Sequence, residues 1–345
     1  MTGRPRIHML FVSLVVLALS AVTTEARTWH VPSECPTIHA AIDSAASGAT
    51  VLVGPGAYYE SAEPETWIML KHGQSLLGEG GPETTIIEFC GTADGVVMAE
   101  ATRLRGFTIR YASQPGCEDP PASTEGVYSW SHTDVIVEDC IIDDCDIGIK
   151  VAGASQEWGK PIVRNNVIRG ASWGVTCSQM GDPGRPLFEG NTITDCWWGG
   201  FAEDCSPLFD FNQITHCGTG LVFGGNCTGD CSGNTIAYNG IGADIWADPP
   251  LGAPTFNGSW EPELANDFYG NTALDIRYGH PPGLAGIMAI YNYWGSNCPN
   301  FAGKLQGEVI YSPWMDSTHT VVLTEKDCPG ATEPSTWGSI KAMFK

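Results

Sequence analysis

Basic residues are scarce in this chain. Its 345 residues hold 17 Lys and Arg against 39 Asp and Glu, a formal net charge of −22. Phosphates are held by Lys and Arg, so this balance argues against nucleic acid as a partner. The same acidity disfavours direct contact with a polyanion such as pectate, unless Ca²⁺ bridges the like charges. Long apolar runs are also missing. The one concentrated stretch, Met9 to Leu19, is too short to span a bilayer. It follows Arg4 and Arg6 and precedes Thr24-Glu25-Ala26, the pattern of an export signal cleaved near Arg27. No membrane span is expected once that signal is removed. The 13 cysteines include no Cys-x-x-Cys pair, so a structural zinc site is not expected. In an exported chain they point to disulfides, and the odd count leaves a thiol over in any monomer. Glycine is plentiful, at 42 residues, where leucine is not, as suits a chain that turns often.

What is present is a repeat. Asn166-Val-Ile, Asn191-Thr-Ile, Asn212-Gln-Ile and Asn234-Thr-Ile recur with a period in the low twenties; Cys140-Ile-Ile fits before them and Asn271-Thr-Ala after. Such a period fits the coil of a parallel β-helix and is shorter than a propeller blade or a helical repeat. Three residues before each anchor stand Val137, Val163, Phe188, Phe209, Cys231 and Phe268. Two after stand Ile142, Ile168, Ile193, Ile214, Ile236 and Ala273. One apolar residue per coil at a fixed place is an inward-facing stack. Eight residues after the anchors comes a glycine column, Gly148, Gly174, Gly199, Gly220 and Gly242, which Gly126 extends one coil earlier. Glycine there supplies either a backbone angle or a clearance. The Asn anchors are expected at corners of positive φ, bonded to one another at the ~4.8 Å strand spacing. A second ladder, five residues on, reads Cys145, Ala171, Cys196, Cys217, Asn239. Two residues before the anchors, Arg105, Glu138, Arg164, Glu189 and Asp210 are expected to pair across coils, as are Arg110, Asp143 and Arg169 three residues after them.

The expected fold is therefore all-β: a right-handed parallel β-helix, a solenoid of roughly ten coils over residues 27–325, with a signal peptide over 1–26 and a tail over 326–345. Thr37 is the expected N-cap of a short helix, Ile38 to Ala46, that covers the N-terminal opening. Trp337, Ile340 and Phe344 give the tail an amphipathic spacing. Two insertions, Tyr111 to Glu125 and Ala247 to Asp267 (with Trp260), break the period.

Pro36-Thr-Ile-His-Ala-Ala-Ile-Asp-Ser-Ala to Gly54-Pro-Gly-Ala-Tyr-Tyr-Glu60, and Leu76-Leu-Gly-Glu-Gly-Gly-Pro-Glu-Thr-Thr-Ile-Ile87, resemble the opening of pectin-lyase-like β-helix proteins. Asn292-Tyr-Trp-Gly-Ser296 with Tyr311-Ser-Pro-Trp314 resembles the closing motif of bacterial surface β-helix proteins. The resemblance implies the fold; activities across that superfamily range from lyases, hydrolases, esterases and epimerases to non-enzymatic adhesins. Ser123-Thr-Glu-Gly126 and Asp143-Asp-Cys145 look like polygalacturonase motifs. In coil register, however, the Asp-Asp position falls on Asp146-Ile147, and no histidine stands in Gly170-Ala-Ser-Trp-Gly174. An inverting hydrolase needs both an acid and a base, and this set is incomplete. The pectate lyase Arg pattern and the pectin methylesterase Asp pair are absent as well.

The candidates for chemistry each have a plain alternative. Asp195 and His216, in one column on adjacent coils, are an acid–base pair or an exposed corner pair. Glu203, Asp204 and Asp210 are a Ca²⁺ site or scattered surface acids. Trp173 and Trp198 are a sugar platform or are packed inside the coil. Cys196 with Cys217, Cys205 with Cys227 and Cys298 with Cys328 are disulfide candidates or buried thiols. The leading expectation is a secreted, cell-surface or periplasmic protein that binds a polysaccharide or surface glycan without catalysis. The runners-up are a polysaccharide lyase or glycoside hydrolase with a non-standard site, and a structural envelope component.

Overall fold

A computed structural model describes residues 27–60, 68–90, 94–112, 117, 124–153, 160–179, 185–246, 253–256, 261–279 and 286–328. The expected signal, most of the expected tail and Trp260 lie outside these residues. The strands stack in parallel into three sheets of nine, nine and ten, so the solenoid makes about nine turns. The first sheet runs from Thr28–Val31 to Asp230–Ser232 and the second from Gly56–Glu60 to Asp267–Tyr269. The third runs from Ile68–Met69 to Leu305–Gln306; its central strands, such as Trp173–Ser178, are twice the length of most others.

The inward isoleucines of the second sheet are buried and in register: Ile142 on Ile168, Ile193, Ile214 and Ile236. The next rung is Phe268, not Ala273, because the anchor after Asn234 is Asn266 rather than Asn271. The slip is five residues, the distance between two polar ladders that both carry Asn. In the first, Nδ2 of Asn166, Asn191, Asn212, Asn234 and Asn266 each donates to Oδ1 of the next, at 2.9–3.0 Å, ending on Asn292. In the second, the backbone N–H of Cys217 bonds Asn239 and that of Asn239 bonds Asn271. The anchors themselves do not have positive φ. That conformation falls one residue earlier, on Asp139, Asn165, Gly190, Phe211 and Gly233. The Asn side chains are there to satisfy buried backbone groups that face no strand at the corner.

The glycine column is explained by clearance. None of its members has positive φ; a Cβ on Gly174 would stand 2.5 Å from the carbonyl oxygen of Gly199 and 2.7 Å from Cγ2 of Ile193. The same contact recurs at Gly148, Gly199 and Gly220, so each coil rests on the bare backbone of the next.

Charges cancel between rungs, though not as a simple alternation. Glu138 is clamped by Arg103 of the coil before and Arg164 of the coil after. Burial pushes its carboxyl up, but the two guanidinium groups outweigh this and hold it below its ordinary range. Arg105 instead pairs with Asp139, Arg110 with Glu88, and Arg169 with Asp143.

The helix Ile38–Ser44 closes the N-terminal end, with Thr37 accepting the Ala40 N–H at 3.1 Å and Ile38, Ala41 and Ile42 buried. It stops two residues short of the expected Ala46. Buried Gln74 and half-buried Lys71, in the turn after Ile68–Met69, take its last carbonyls, those of Asp43 and Ala45 among them. At the other end Trp294 stacks on Phe268, and Phe301 and Tyr311 pack beside Trp314. Within the second insertion, Thr255 bridges to Asp230 and Phe256 is fully buried, so this segment supplies a missing rung of the first sheet's core, the place expected for Phe268.

Three disulfides are present: Cys90–Cys117, Cys177–Cys205 and Cys298–Cys328. Cys205 is thus joined to Cys177, not to Cys227, whose thiol donates to the Cys205 carbonyl. Cys196 and Cys217 are buried thiols rather than a disulfide; each sulfur turns onto a carbonyl of its own coil, those of Thr194 and Thr215, at 3.3 and 3.4 Å.

Candidate functional site

Asp195 and His216 do not form an acid–base pair. Both occupy the second corner column, which takes positive φ in six successive coils (Asp144, Gly170, Asp195, His216, Tyr238, Gly270). Asp195 accepts the Thr194 hydroxyl at 3.0 Å, and the His216 ring stacks on Tyr238 with centroids 5.7 Å apart. Asp and His are residues that tolerate this conformation better than most, which accounts for them there.

The suggested metal ligands are not brought together. Glu203 ends a strand of the third sheet, while Asp204 takes the Asn226 N–H at 2.8 Å. Asp210 lies in the first sheet, and no group of three or more possible metal ligands exists among the described residues. Asp210 stands in register with Glu189. Burial, and then the charges of Glu189 and Asp230, push its carboxyl from 3.8 up to about 6. The ionised form is therefore disfavoured in the folded state. Its contribution to stability is complete below pH ~4 and is lost as pH rises through ~6. Asp210→Asn should raise Tm at pH 7.5 and leave it unchanged at pH 4, as thermal melts at the two pH values will show. An equal shift at both would contradict the titration.

The outer face of the third sheet is different in kind. Alternation breaks at the glycine column: Gly174 faces the buried Ile193 and Cys196, and Val175 and Leu221 also point inward, so Trp173, Trp198 and Thr219 before the glycines lie outward with Phe201. Trp173 and Trp198 are therefore not packed inside the coil. They are stacked on adjacent rungs, centroids 5.4 Å apart and nearly parallel, with Phe201 at 5.2 Å from each. Trp246 stands edge-on to Trp198 at 5.6 Å and is 46% exposed. Two rungs up the same outward row, ~10 Å from Trp173, is Glu125.

Glu125 is buried and takes the Lys150 ammonium at 2.7 Å. Lys150 lies 5.3 Å from the ring of Tyr128, its neighbour in register. The backbone N–H of Glu125 donates to Asp94 at 3.1 Å. Burial, and next a side-chain hydrogen bond that the protonated Asp94 carboxyl donates to Glu125, raise the Asp94 carboxyl to about 7. Tyr128 is also pushed up by burial. Asp94 immediately precedes Gly95, as Glu125 precedes Gly126, Trp173 precedes Gly174 and Trp198 precedes Gly199. One row thus carries both the paired acids and the tryptophans. Extending the glycine column back to Gly95 would have found it; Glu125 itself sat in the Ser123-Thr-Glu-Gly126 motif set aside for its missing partners.

Residues 125–246 match the family described as Right handed beta helix region. The chain has a right-handed parallel β-helix fold. No curated protein matches the sequence. Among solved structures, the chain is similar to the A-module of a mannuronan C-5 epimerase from Azotobacter vinelandii, at 18% identity and TM-score 0.48, over 83% of this chain and 80% of that one. Pectin methylesterase from Erwinia chrysanthemi is similar at 12% identity and TM-score 0.39, over 73% and 90%. The catalytic domain of a GH87 alpha-1,3-glucanase is similar at 14% identity and TM-score 0.38, over 84% and 54%.

Proposed function

We propose that the protein is an exported β-helix that binds a polysaccharide along the outer face of its third sheet. The observation that carries this reading is the aromatic group Trp173, Trp198, Phe201 and Trp246, set in one patch on a flat, outward sheet. Flat rings match the apolar face of a pyranose, and a parallel sheet repeats them along a line. The leader-like N-terminus and the three disulfides support an extracellular place.

A glycan panel that reads both bound chains and released products, with and without Ca²⁺, tests it. Trp246→Ala and Trp198→Ala should each weaken binding about tenfold, equivalent to ~1.4 kcal/mol. Tyr238→Ala, an exposed aromatic at the corner, should change nothing. Equal effects at all three positions would sink the proposal. A second reading, chain cleavage, is favoured by Asp94, whose carboxyl titrates near neutrality beside Lys150 and Tyr128. Product release abolished by Asp94→Asn would support it. Two carboxyls in direct contact, however, lack the ~5–5.5 Å or wider gap that glycoside hydrolysis requires.

A further inference from the structure

The described cations on the third sheet's strands, Lys150 and Arg277, are already used. Lys150 is held by buried Glu125. Arg277 holds buried Asp244, with Nε 2.7 Å from Oδ1 and a second contact through Nη2. The neighbouring sheets repeat the arrangement. Arg103 and Arg164 share Glu138, Arg169 holds Asp143, and Arg185 holds Asp230. The segments 154–159, 180–184 and 247–252, next in sequence to the third sheet's strands, contain no Lys or Arg. Set in a chain of net charge −22, the described strands of this face carry no unpaired Lys or Arg for a carboxylate or sulfate on a sugar; exposed Lys160 lies beyond them, at the entry to the first sheet's strand Ile162–Arg164.

The polar end of the row is nevertheless well supplied with hydrogen-bonding groups. Asp94, Glu125 and Lys150 bring acceptors and donors together two rungs above Trp173, and their charges largely cancel. The Asp94 carboxyl, raised to about 7 by burial and by its contact with Glu125, is partly protonated at neutral pH, which brings the trio closer to neutrality. Adjacent donors and acceptors of this kind suit the vicinal hydroxyls of a sugar, while the flanking rings take its apolar face.

Resting on the glycan-binding reading above, we propose that the occupant of this face is an uncharged polysaccharide. The rings Trp173 and Trp198 stack on its sugars, and Asp94, Glu125 and Lys150 read the hydroxyls of the unit bound beside them. A polyuronate would have to break the Glu125–Lys150 pair, leaving a carboxylate unpaired in a buried place, which is costly.

Calorimetric titration of the full chain with konjac glucomannan and laminarin, against polygalacturonate and alginate, tests the inference. The expected result is binding to a neutral chain that changes less than twofold when NaCl is raised. Asp94→Asn should weaken that binding at least fivefold, with Tm near that of the unaltered protein. Glu125→Gln should do the same, and Asp94→Asn serves if Glu125→Gln fails to fold. Tighter binding of polygalacturonate or alginate, lost on Trp198→Ala and on adding salt, would overturn the neutral-chain inference while keeping the glycan-binding reading. Absence of binding to all four polymers would overturn both.

Discussion

Asn212→Leu should remove ~4–6 kcal/mol of stability, close to the whole of a typical domain's margin. Oδ1 of Asn212 accepts both the backbone N–H and the Nδ2 of Asn191, each at 3.0 Å. Its Nδ2 donates to the Phe188 carbonyl and to Asn234 at 2.9 and 3.0 Å. Leucine has nearly the same shape and none of these groups. The Asn191 N–H, one amide hydrogen of Asn191 and the Phe188 carbonyl would be left unpaired in a place that is fully buried, at ~1–3 kcal/mol each. Cys140→Ala is the comparison. Cys140 occupies the first position of the ladder and takes Asn166 with its backbone alone, so its loss should cost only about 1 kcal/mol. Denaturant unfolding of the two variants would show the contrast, and equal midpoints would refute the account of the ladder.

The second large effect is expected at Gly174. A methyl group there meets the Gly199 carbonyl at 2.5 Å and Ile193 at 2.7 Å. Neither is the free end of a flexible side chain, so the coils must separate locally. Overpacking of this kind costs ~1–3 kcal/mol, and a backbone obstacle places Gly174→Ala at the upper end. Gly224 lies in the same sheet two coils on, has no positive φ, and would find nothing closer than 3.9 Å. Gly224→Ala should therefore leave Tm unchanged or slightly raised. If both alanines were tolerated alike, clearance would not be the reason for the column.

The fold was readable because a solenoid writes the same demand once per coil. Ile142, Ile168, Ile193, Ile214 and Ile236 answer one such demand with the same residue. The register failed where two demands were answered alike: Asn266 and Asn271 each belong to an asparagine ladder, and a long insertion removed the spacing that separates them. That insertion also concealed Phe256, a core rung with no repeated neighbours in sequence. The candidate site was harder for the opposite reason. Its row reads Asp94, Glu125, Ile147, Trp173, Trp198 and Thr219, and outward positions face no shared packing constraint. No letter recurs to announce them. Asp195 and His216 drew notice by their chemistry, but a backbone conformation placed them there.

The seven unpaired cysteines, all buried, carry a consequence for how the molecule ends its life. Burial pushes the thiols of Cys140 and Cys227 up to about 12, so almost none is in the reactive thiolate form while the coils are closed. On unfolding they return to ordinary acidity beside three disulfides, and exchange among thirteen sulfurs can begin. Once opened at neutral pH, the chain is exposed to exchange between its thiols and its disulfides. Its working lifetime is then set by how seldom the coils open, and alkylating the thiols in the unfolded chain should trap it before exchange begins.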